Sequence, residues 1–225
     1  MHAQAPADDA AQQQHLVTVL TTEIYILQMA RSNTVQESMA RITTFLTSLS
    51  GGLVALGFVA QSTRLEGSFH VFAESILVTV AFIGAATFWR VLQTSLDDMA
   101  LARGMGRIRG ALLEMVPHAG ASFTQPTTDD QDAALVQYGG GGWFQLFANG
   151  AGMVGIVTGA VVAALAAVVA MQFGWGRETA LAAAAAVLAA AGYLQAKIQV
   201  RQYAAGSRAY ERVSASRPAA PSGHR

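Results

Sequence analysis

The chain has no cysteine and little charge. Of its 225 residues only 12% are charged, whereas a soluble domain usually carries about 25%. The missing cysteines exclude a disulfide-stapled secreted module, and the balance of 14 basic against 14 acidic side chains excludes a nucleic-acid binder that relies on a basic surface. With 52% apolar residues, the composition also excludes a disordered chain. The mean hydropathy of +0.36 indicates lipid rather than water as the solvent.

Motifs for catalysis and metal binding are missing as well. None of the five histidines has a second histidine three or four residues away. The glycine-rich run at 104–110 lacks the spacing of a phosphate-binding loop and follows no predicted strand. The sequence therefore predicts no catalytic residue, no metal site and no cofactor, and we expect that the protein is not an enzyme.

Four segments are long and apolar enough to cross a membrane, which takes roughly 20 residues of helix. They cover residues 42–60, about 71–92, 151–173 and 179–196. The sequence predicts an all-α integral membrane protein whose four transmembrane helices form two hairpins, with helical extensions in the cytoplasm.

Basic residues are distributed unevenly over the segments outside the spans. Twelve of the 14 lysines and arginines lie before the first span, between the inner end of the second span (Arg90) and the third span, or after the fourth, and only Arg64 and Arg177 lie in the other two turns. Because basic residues near span ends stay in the cytoplasm, we expect both termini there. The first 14 residues lack the basic start and apolar core of a signal peptide, so the first span is expected to act as the targeting signal.

These features divide the chain into five segments. They are an N-terminal cytoplasmic amphipathic helix (1–40), a first transmembrane hairpin (41–92), a cytoplasmic helix and loop (93–142), a second transmembrane hairpin (143–196), and a basic C-terminal helix with a disordered tail (197–225). Four apolar residues of the first segment follow an a/d pattern over two heptads: Val17, Leu20, Ile24 and Leu27. Two arrangements stay open for this helix, which either runs straight into the first span or lies along the membrane surface.

The first span carries two neighbouring lines of hydroxyl groups and glycines in its inner half. The candidates for lining a pore are Thr44, Thr47, Ser48, Gly51 and Gly52. One interpretation is a packing face whose hydroxyls bond the carbonyl four residues back. The other is a wetted face that lines an aqueous pore when several subunits surround an axis.

Charged residues at the ends of the spans are candidates for the mouths of such a pore. Glu66, Glu74 and Glu178 lie at the outer side, and Arg41 and Arg90 flank the inner side. Rings of acidic side chains at a mouth favour cations. The alternative is that these residues are ordinary interfacial charges.

The third span has small residues at every fourth position: Ala151, Gly155, Gly159, Ala163 and Ala167. Such a line lets another helix backbone approach closely, which is how helices associate in lipid. The spacing predicts helix packing, and it leaves open whether the partner belongs to the same subunit or to a neighbour.

Two groups of basic residues are candidates for binding anions. Arg103, Arg107 and Arg109 lie on a helix that Pro117 ends, and residues 117–132 are predicted to form a loop. These three arginines either contact a lipid headgroup or another anionic ligand, or they only determine the orientation of the spans in the membrane. A second basic stripe follows the fourth span and consists of Lys197, Arg201, Arg208 and Arg212. We interpret this stripe as a contact with anionic headgroups rather than a nucleic-acid site.

The run TEIYILQMARSNTVQESMARITTFLTSLSGGLVALGFVA, residues 22–60, resembles the start of a group of uncharacterised four-span bacterial inner-membrane proteins. In that group an ARS-type helix with hydroxyl and acidic residues leads into a first span rich in serine and glycine. The resemblance implies a bacterial inner-membrane location and carries no assigned function. The alanine- and arginine-rich, lysine-poor usage agrees with this location.

Two functions are compatible with these patterns. The first is a small homo-oligomeric channel or pore in the lipid bilayer, lined by the hydroxyl-rich first span. The alternative is a membrane anchor, interaction protein or membrane-perturbing effector, without enzymatic activity, that recruits a partner through its cytoplasmic helices at about 12–40, 93–116 and 197–213. No nucleic acid is expected among the partners.

Overall fold

The computed structural model describes residues 5–63, 67–130 and 144–216, and every element in these ranges is helical. The elements are α1 (Ala5–Thr63), α2 (Gly67–Met115), a 3₁₀ turn (Pro117–Ser122), α3 (Gln145–Ala148), α4 (Gly150–Gln172) and α5 (Arg177–Ala215). Four of them, α1, α2, α4 and α5, are long and apolar enough to cross a membrane. The all-α class and the four candidate spans are thereby confirmed.

Helices α1 and α2 are much longer than a membrane is thick. Helix α1 has 59 residues and α2 has 49, whereas roughly 20 residues of helix suffice to cross the hydrocarbon core. Residues 5–40 and the first candidate span form one continuous helix, which agrees with the arrangement in which the N-terminal helix runs straight into the span. Helix α2 continues past the second span to Met115. Of the predicted loop, Pro117–Ser122 form a 3₁₀ turn, residues 123–130 are irregular as expected, and residues 131–132 lie outside the described residues.

The chain divides into two compact units, and both α1 and α2 contribute to each of them. Unit 1 consists of Met1–Val35 and Leu96–Gly141, and unit 2 consists of Gln36–Ser95 and Gly142–Arg225. In unit 1 the four a/d residues of α1 are half-buried, and the side chain of Leu27 lies near Gly104 of α2. Met105 of α2 is fully buried in the same unit.

The apolar core of unit 2 joins α1, α2 and α4. Its buried members are Phe45, Leu77, Val80, Val154 and Val161. A methyl group on Gly84 would overlap the hydroxyl of Thr158 and would lie 2.9 Å from the ring of Phe45. The absence of a side chain at Gly84 therefore allows the three helices to meet at this point.

The two glycines in the line of small residues on α4, Gly155 and Gly159, face α5 within the same chain. Ala151 is completely buried. A methyl group on Gly159 would lie 3.2 Å from the Cβ of Ala191 and 3.4 Å from Leu188 on α5. Ala163 is buried and Ala167 is half-buried. In the described chain this line is thus occupied by an internal contact of the kind that small residues permit in lipid.

Candidate functional site

Two of the predicted lining hydroxyls on α1, those of Thr44 and Thr47, lie on an exposed face of the helix. Thr44 and Thr47 are exposed, and no atom lies within 4 Å of the position that a Cβ on Gly51 would take. The Thr44 hydroxyl donates to the carbonyl of Ala40 (2.9 Å), and the Ser48 hydroxyl donates to that of Thr44 (2.9 Å). The helix itself satisfies these donors, so no other helix is needed to cover them.

The two lines of candidate lining residues on α1 differ in exposure: Thr47 and Gly51 are exposed, whereas Ser48 and Gly52 are half-buried. Ser48 is half-buried, and a Cβ on Gly52 would lie 3.0 Å from Ile76 of α2. Gly52 therefore belongs to the contact between α1 and α2, whereas Thr47 and Gly51 lie on the open side. Ser50 is exposed as well. It follows Thr47 by three residues and belongs to the open face, although sequence reasoning did not single it out.

Helix α1 is the least covered of the four candidate spans. Only 6% of its apolar window is buried, compared with 33% for α2 and 28% for α4. The buried side chain of Phe45 marks the face of α1 that packs in the core. The opposite face, with its hydroxyl groups, is left to lipid, water or another copy of the chain.

The acidic residues expected at an outer mouth are only partly described. Glu66 lies outside the described residues. Glu74 is half-buried near the start of α2, and Glu178 is exposed in the first turn of α5.

Arg41 and Arg90, which were expected at an inner mouth, meet at one carboxylate. Both Nε atoms lie 3.0 Å from Oε1 of Glu37, so Glu37 links α1 to α2. The two guanidinium groups donate hydrogen bonds to Glu37 and lower the pKa of its carboxyl group. Beside this carboxylate, the hydroxyls of Ser38 on α1 and Thr94 on α2 lie 2.7 Å apart. The two arginines therefore share one carboxylate, and the three side chains form a clamp between α1 and α2.

A cluster of buried amides ties α3, α4 and α5 together. Gln199 is completely buried and donates to the carbonyl of Leu146 (2.9 Å), while its Oε1 accepts from Asn149 (3.0 Å). Asn149 also caps α4 by accepting from the backbone N–H of Gly152 (2.7 Å). Gln195 donates to the carbonyl of Gly152 (2.9 Å). Two glutamines four residues apart, which share one face of a helix, are the sequence signal that could have revealed this cluster.

The Gln195 amide also packs against the backbone of α4. A Cβ on Gly155 would overlap all three heavy atoms of that amide group. The Oε1 atom of Gln195 has no hydrogen-bond partner in the described chain. Gly155 is thus required by the amide cluster as well as by the approach of the two helices.

Unit 1 holds the arginines that were expected to bind an anion. Arg103 is only 6% exposed and donates from Nε to the carbonyl of Asp129 (2.8 Å). Arg109 reaches the carbonyl of Pro126 (3.5 Å), and Arg107 is half-buried. Burial, together with the positive charge of Arg31, lowers the pKa of Arg109.

An ion pair between α1 and α2 lies in the same unit. Arg31 donates from Nε and Nη2 to the two carboxylate oxygens of Asp98, at 2.8 and 3.4 Å. Asp98 is buried, and the hydroxyl of Thr34 lies 3.5 Å from its Oδ1. The sequence offered no signal for this pair, whose partners are 67 residues apart.

No group of three or more histidine, aspartate or glutamate side chains that could hold a metal ion occurs among the described residues. No protein-family model, no curated protein and no solved structure matches the chain.

Proposed function

We propose that the protein is a small homo-oligomeric membrane channel in which several copies of α1 surround an aqueous path. The observation that carries this proposal is the open hydroxyl face on the least covered of the four spans. A face of hydroxyls and bare backbone gains little from contact with lipid tails, and polar groups in a membrane prefer protein or water. A ring of identical faces would provide that environment.

The lining of the path is assigned to Thr44, Thr47 and Gly51, with Ser50 added from the geometry. Ser48 and Gly52 are half-buried towards α2 and would lie at the edge of the lining. The clamp of Glu37 with its two arginines would stand at the inner end. Glu74 and Glu178 would stand near the outer end, where acidic groups favour cations.

The location that we propose is a bacterial inner membrane, with both termini in the cytoplasm. The support is the distribution of the 14 basic residues, of which twelve fall on one side of the four spans. Unit 1 would then lie in the cytoplasm, and the basic stripe of α5 would contact anionic headgroups.

A second candidate function is a membrane anchor that recruits a protein partner. It is favoured by the apolar side chains that unit 1 leaves exposed on α1, among them Leu16, Val19, Tyr25, Ile26 and Met29. Exposed apolar clusters in water mark interaction sites. An anchor of this kind would need no aqueous path.

Ion flux in liposomes distinguishes the two candidates. The purified protein is reconstituted, and release of a trapped monovalent cation is followed with and without the Thr47→Leu change. The channel predicts flux that this change strongly reduces, because leucine removes a hydroxyl and narrows the path. Leu46→Ala, an exposed change on the neighbouring face, is the control that should leave flux unaltered. A protein that passes no ions would leave the anchor as the remaining candidate.

A further inference from the structure

The clamp formed by Glu37, Arg41 and Arg90 carries one positive charge in excess. Both Nε atoms lie 3.0 Å from Oε1 of Glu37, so they are at most twice that distance from each other. Hydrogen bonds from the two arginines lower the pKa of Glu37, and its carboxylate is therefore ionised at neutral pH. Among the described residues, neither arginine pairs with a second carboxylate. One negative charge thus faces two positive charges.

Both arginines of the clamp keep hydrogen-bond donors that the described part of the chain does not use. A guanidinium group has five N–H donors. Arg41 donates from Nε to Glu37, and Arg90 donates from Nε to Glu37 and from Nη1 to Oε1 of Gln93 (3.3 Å). The two arginine side chains are 46% and 45% exposed. Their remaining Nη donors can therefore reach a ligand outside the protein.

The clamp lies at one end of two uncharged runs. Arg41 directly precedes the run 42–60, and Arg90 directly follows the run 75–89. Because the clamp joins the start of the first run to the end of the second, α1 and α2 are antiparallel here. In a membrane that holds both spans, the two arginines lie at the boundary of the hydrocarbon core, in the layer of the lipid headgroups.

Two further observations support this position. A Cβ on Gly52 would lie 3.0 Å from Ile76, so the two runs pack side by side beyond the clamp. Trp89, next to Arg90 in the sequence, is 45% exposed, and tryptophan is enriched at the boundary between membrane and water. These residues and the clamp all belong to unit 2, so the position does not depend on unit 1.

We propose that Arg41 and Arg90 bind the phosphate group of an anionic phospholipid, and that Glu37 holds the two side chains together for this contact. A phosphodiester carries one negative charge and two oxygen atoms that accept hydrogen bonds from guanidinium groups. It therefore matches both the excess charge and the unused donors. Basic pockets between membrane-spanning helices bind anionic headgroups. The site requires only that the first two spans lie in a membrane, so this inference is independent of the proposed channel.

A binding site and a purely structural clamp predict opposite effects of removing the carboxylate. Glu37 and a bound phosphate attract the same two guanidinium groups. Replacing Glu37 by glutamine raises the charge of the site by one unit, which should strengthen the binding of a phosphate. If the clamp only tied α1 to α2, the same change would leave lipid binding unaltered or weaken it.

The test measures lipid binding to the full-length protein by native mass spectrometry in a neutral detergent. Phosphatidylglycerol supplies an anionic headgroup, whereas phosphatidylcholine carries the same phosphate with a compensating cation. Glycerol phosphate, which lacks the acyl chains, is the soluble comparison. Phosphatidylglycerol is expected to bind at least about tenfold more tightly than phosphatidylcholine, because a hydrogen bond between charged partners has about this effect.

Two sets of variants locate the site. Arg41→Gln and Arg90→Gln should each weaken phosphatidylglycerol binding about tenfold, whereas Arg177→Gln, an exposed change at the start of α5, should not. Glu37→Gln should strengthen binding about fourfold, which is the effect of one unit charge at about 5 Å in water. Glu23→Gln removes the same charge from an exposed position of α1 and should have no effect. Circular dichroism verifies that each variant is helical.

Equal affinity for phosphatidylglycerol and phosphatidylcholine would overturn the proposal. Equal losses in Arg177→Gln and in the two clamp variants would overturn it as well, because binding would then follow net charge. Weaker binding by Glu37→Gln would show that the carboxylate does not compete with a phosphate and would contradict the site. Glycerol phosphate that binds as tightly as phosphatidylglycerol would support the phosphate site with a soluble ester as its ligand.

Discussion

Two phenylalanines on α1 provide a sharp test of which face of that helix is packed. Phe45 is completely buried in the core of unit 2, and Phe58, thirteen residues later on the same helix, is 70% exposed. The changes Phe45→Ala and Phe58→Ala remove the same atoms from the same helix. Any difference between them therefore reports packing within the chain.

The expected cost follows from the cavity that Phe45→Ala would leave. In lipid the transfer of apolar surface contributes little to helix association. The loss in the free energy of unfolding therefore comes mainly from the cavity that the missing ring leaves. At about 24 cal/mol per Å³ and a loss of about 100 Å³, it amounts to roughly 2 kcal/mol. Phe58→Ala should change the free energy of unfolding by less than about 0.5 kcal/mol.

The assay is unfolding of the detergent-solubilised protein by a denaturing detergent, followed by circular dichroism. Phe45→Ala should unfold at a clearly lower denaturant fraction than Phe58→Ala, which should match the unchanged protein. Equal behaviour of the two variants would refute the assignment of the packed face, and with it the open hydroxyl face on the opposite side.

Three further predictions follow from individual contacts, and all are checked by the same unfolding assay. Two arginines lower the pKa of Glu37 from its usual 4.5. The clamp should therefore stabilise the protein fully above about pH 4.5, and this contribution should be lost as the pH falls through the lowered pKa. Glu37→Gln should remove this pH dependence of stability, and a variant whose unfolding at acid pH is unaltered would contradict the clamp. Gln199→Leu removes the bond to Leu146 and should cost about 2 kcal/mol, whereas a neutral result would mean that the amide cluster does not hold α3 in place. Gly84→Ala should destabilise the protein by about 1–3 kcal/mol, because the new methyl group overlaps atoms of the core. Gly51→Ala places its methyl group in open space and should stabilise the protein by up to about 1 kcal/mol. A Gly51→Ala protein less stable than the Gly84→Ala protein would contradict the packing of α1 on α2.

The helices and the candidate spans could be predicted from the sequence because they depend on local properties. Uncharged runs of about 20 residues suffice to identify a span, and the half-buried a/d residues of α1 lie on the face that their spacing predicts. The continuity of α1 was open in the sequence, because a helix that lies on a membrane surface and one that enters it show the same apolar pattern.

The contacts between distant segments could not be predicted in the same way. The bond between Arg90 and Glu37 joins residues 53 positions apart, and no periodicity links them. The small residues of α4 predicted a close helix contact, but their spacing does not identify the partner, which is α5 in the same chain. Gly106 and Gly110 do not reveal in the sequence that the carbonyls of Thr128 and Thr127 lie against them, because a glycine that accommodates a carbonyl and one that merely weakens a helix are identical in sequence.

The most direct measurement of the proposed path is the water accessibility of α1 in a reconstituted membrane. Single cysteines replace Thr47 on the open hydroxyl face and Leu46 on the adjacent apolar face; both positions are exposed in the single chain. If copies of α1 surround water, a membrane-impermeant thiol reagent should label Thr47→Cys rapidly and Leu46→Cys hardly at all. Equal protection of both cysteines in the folded, reconstituted protein would contradict an aqueous path along this helix.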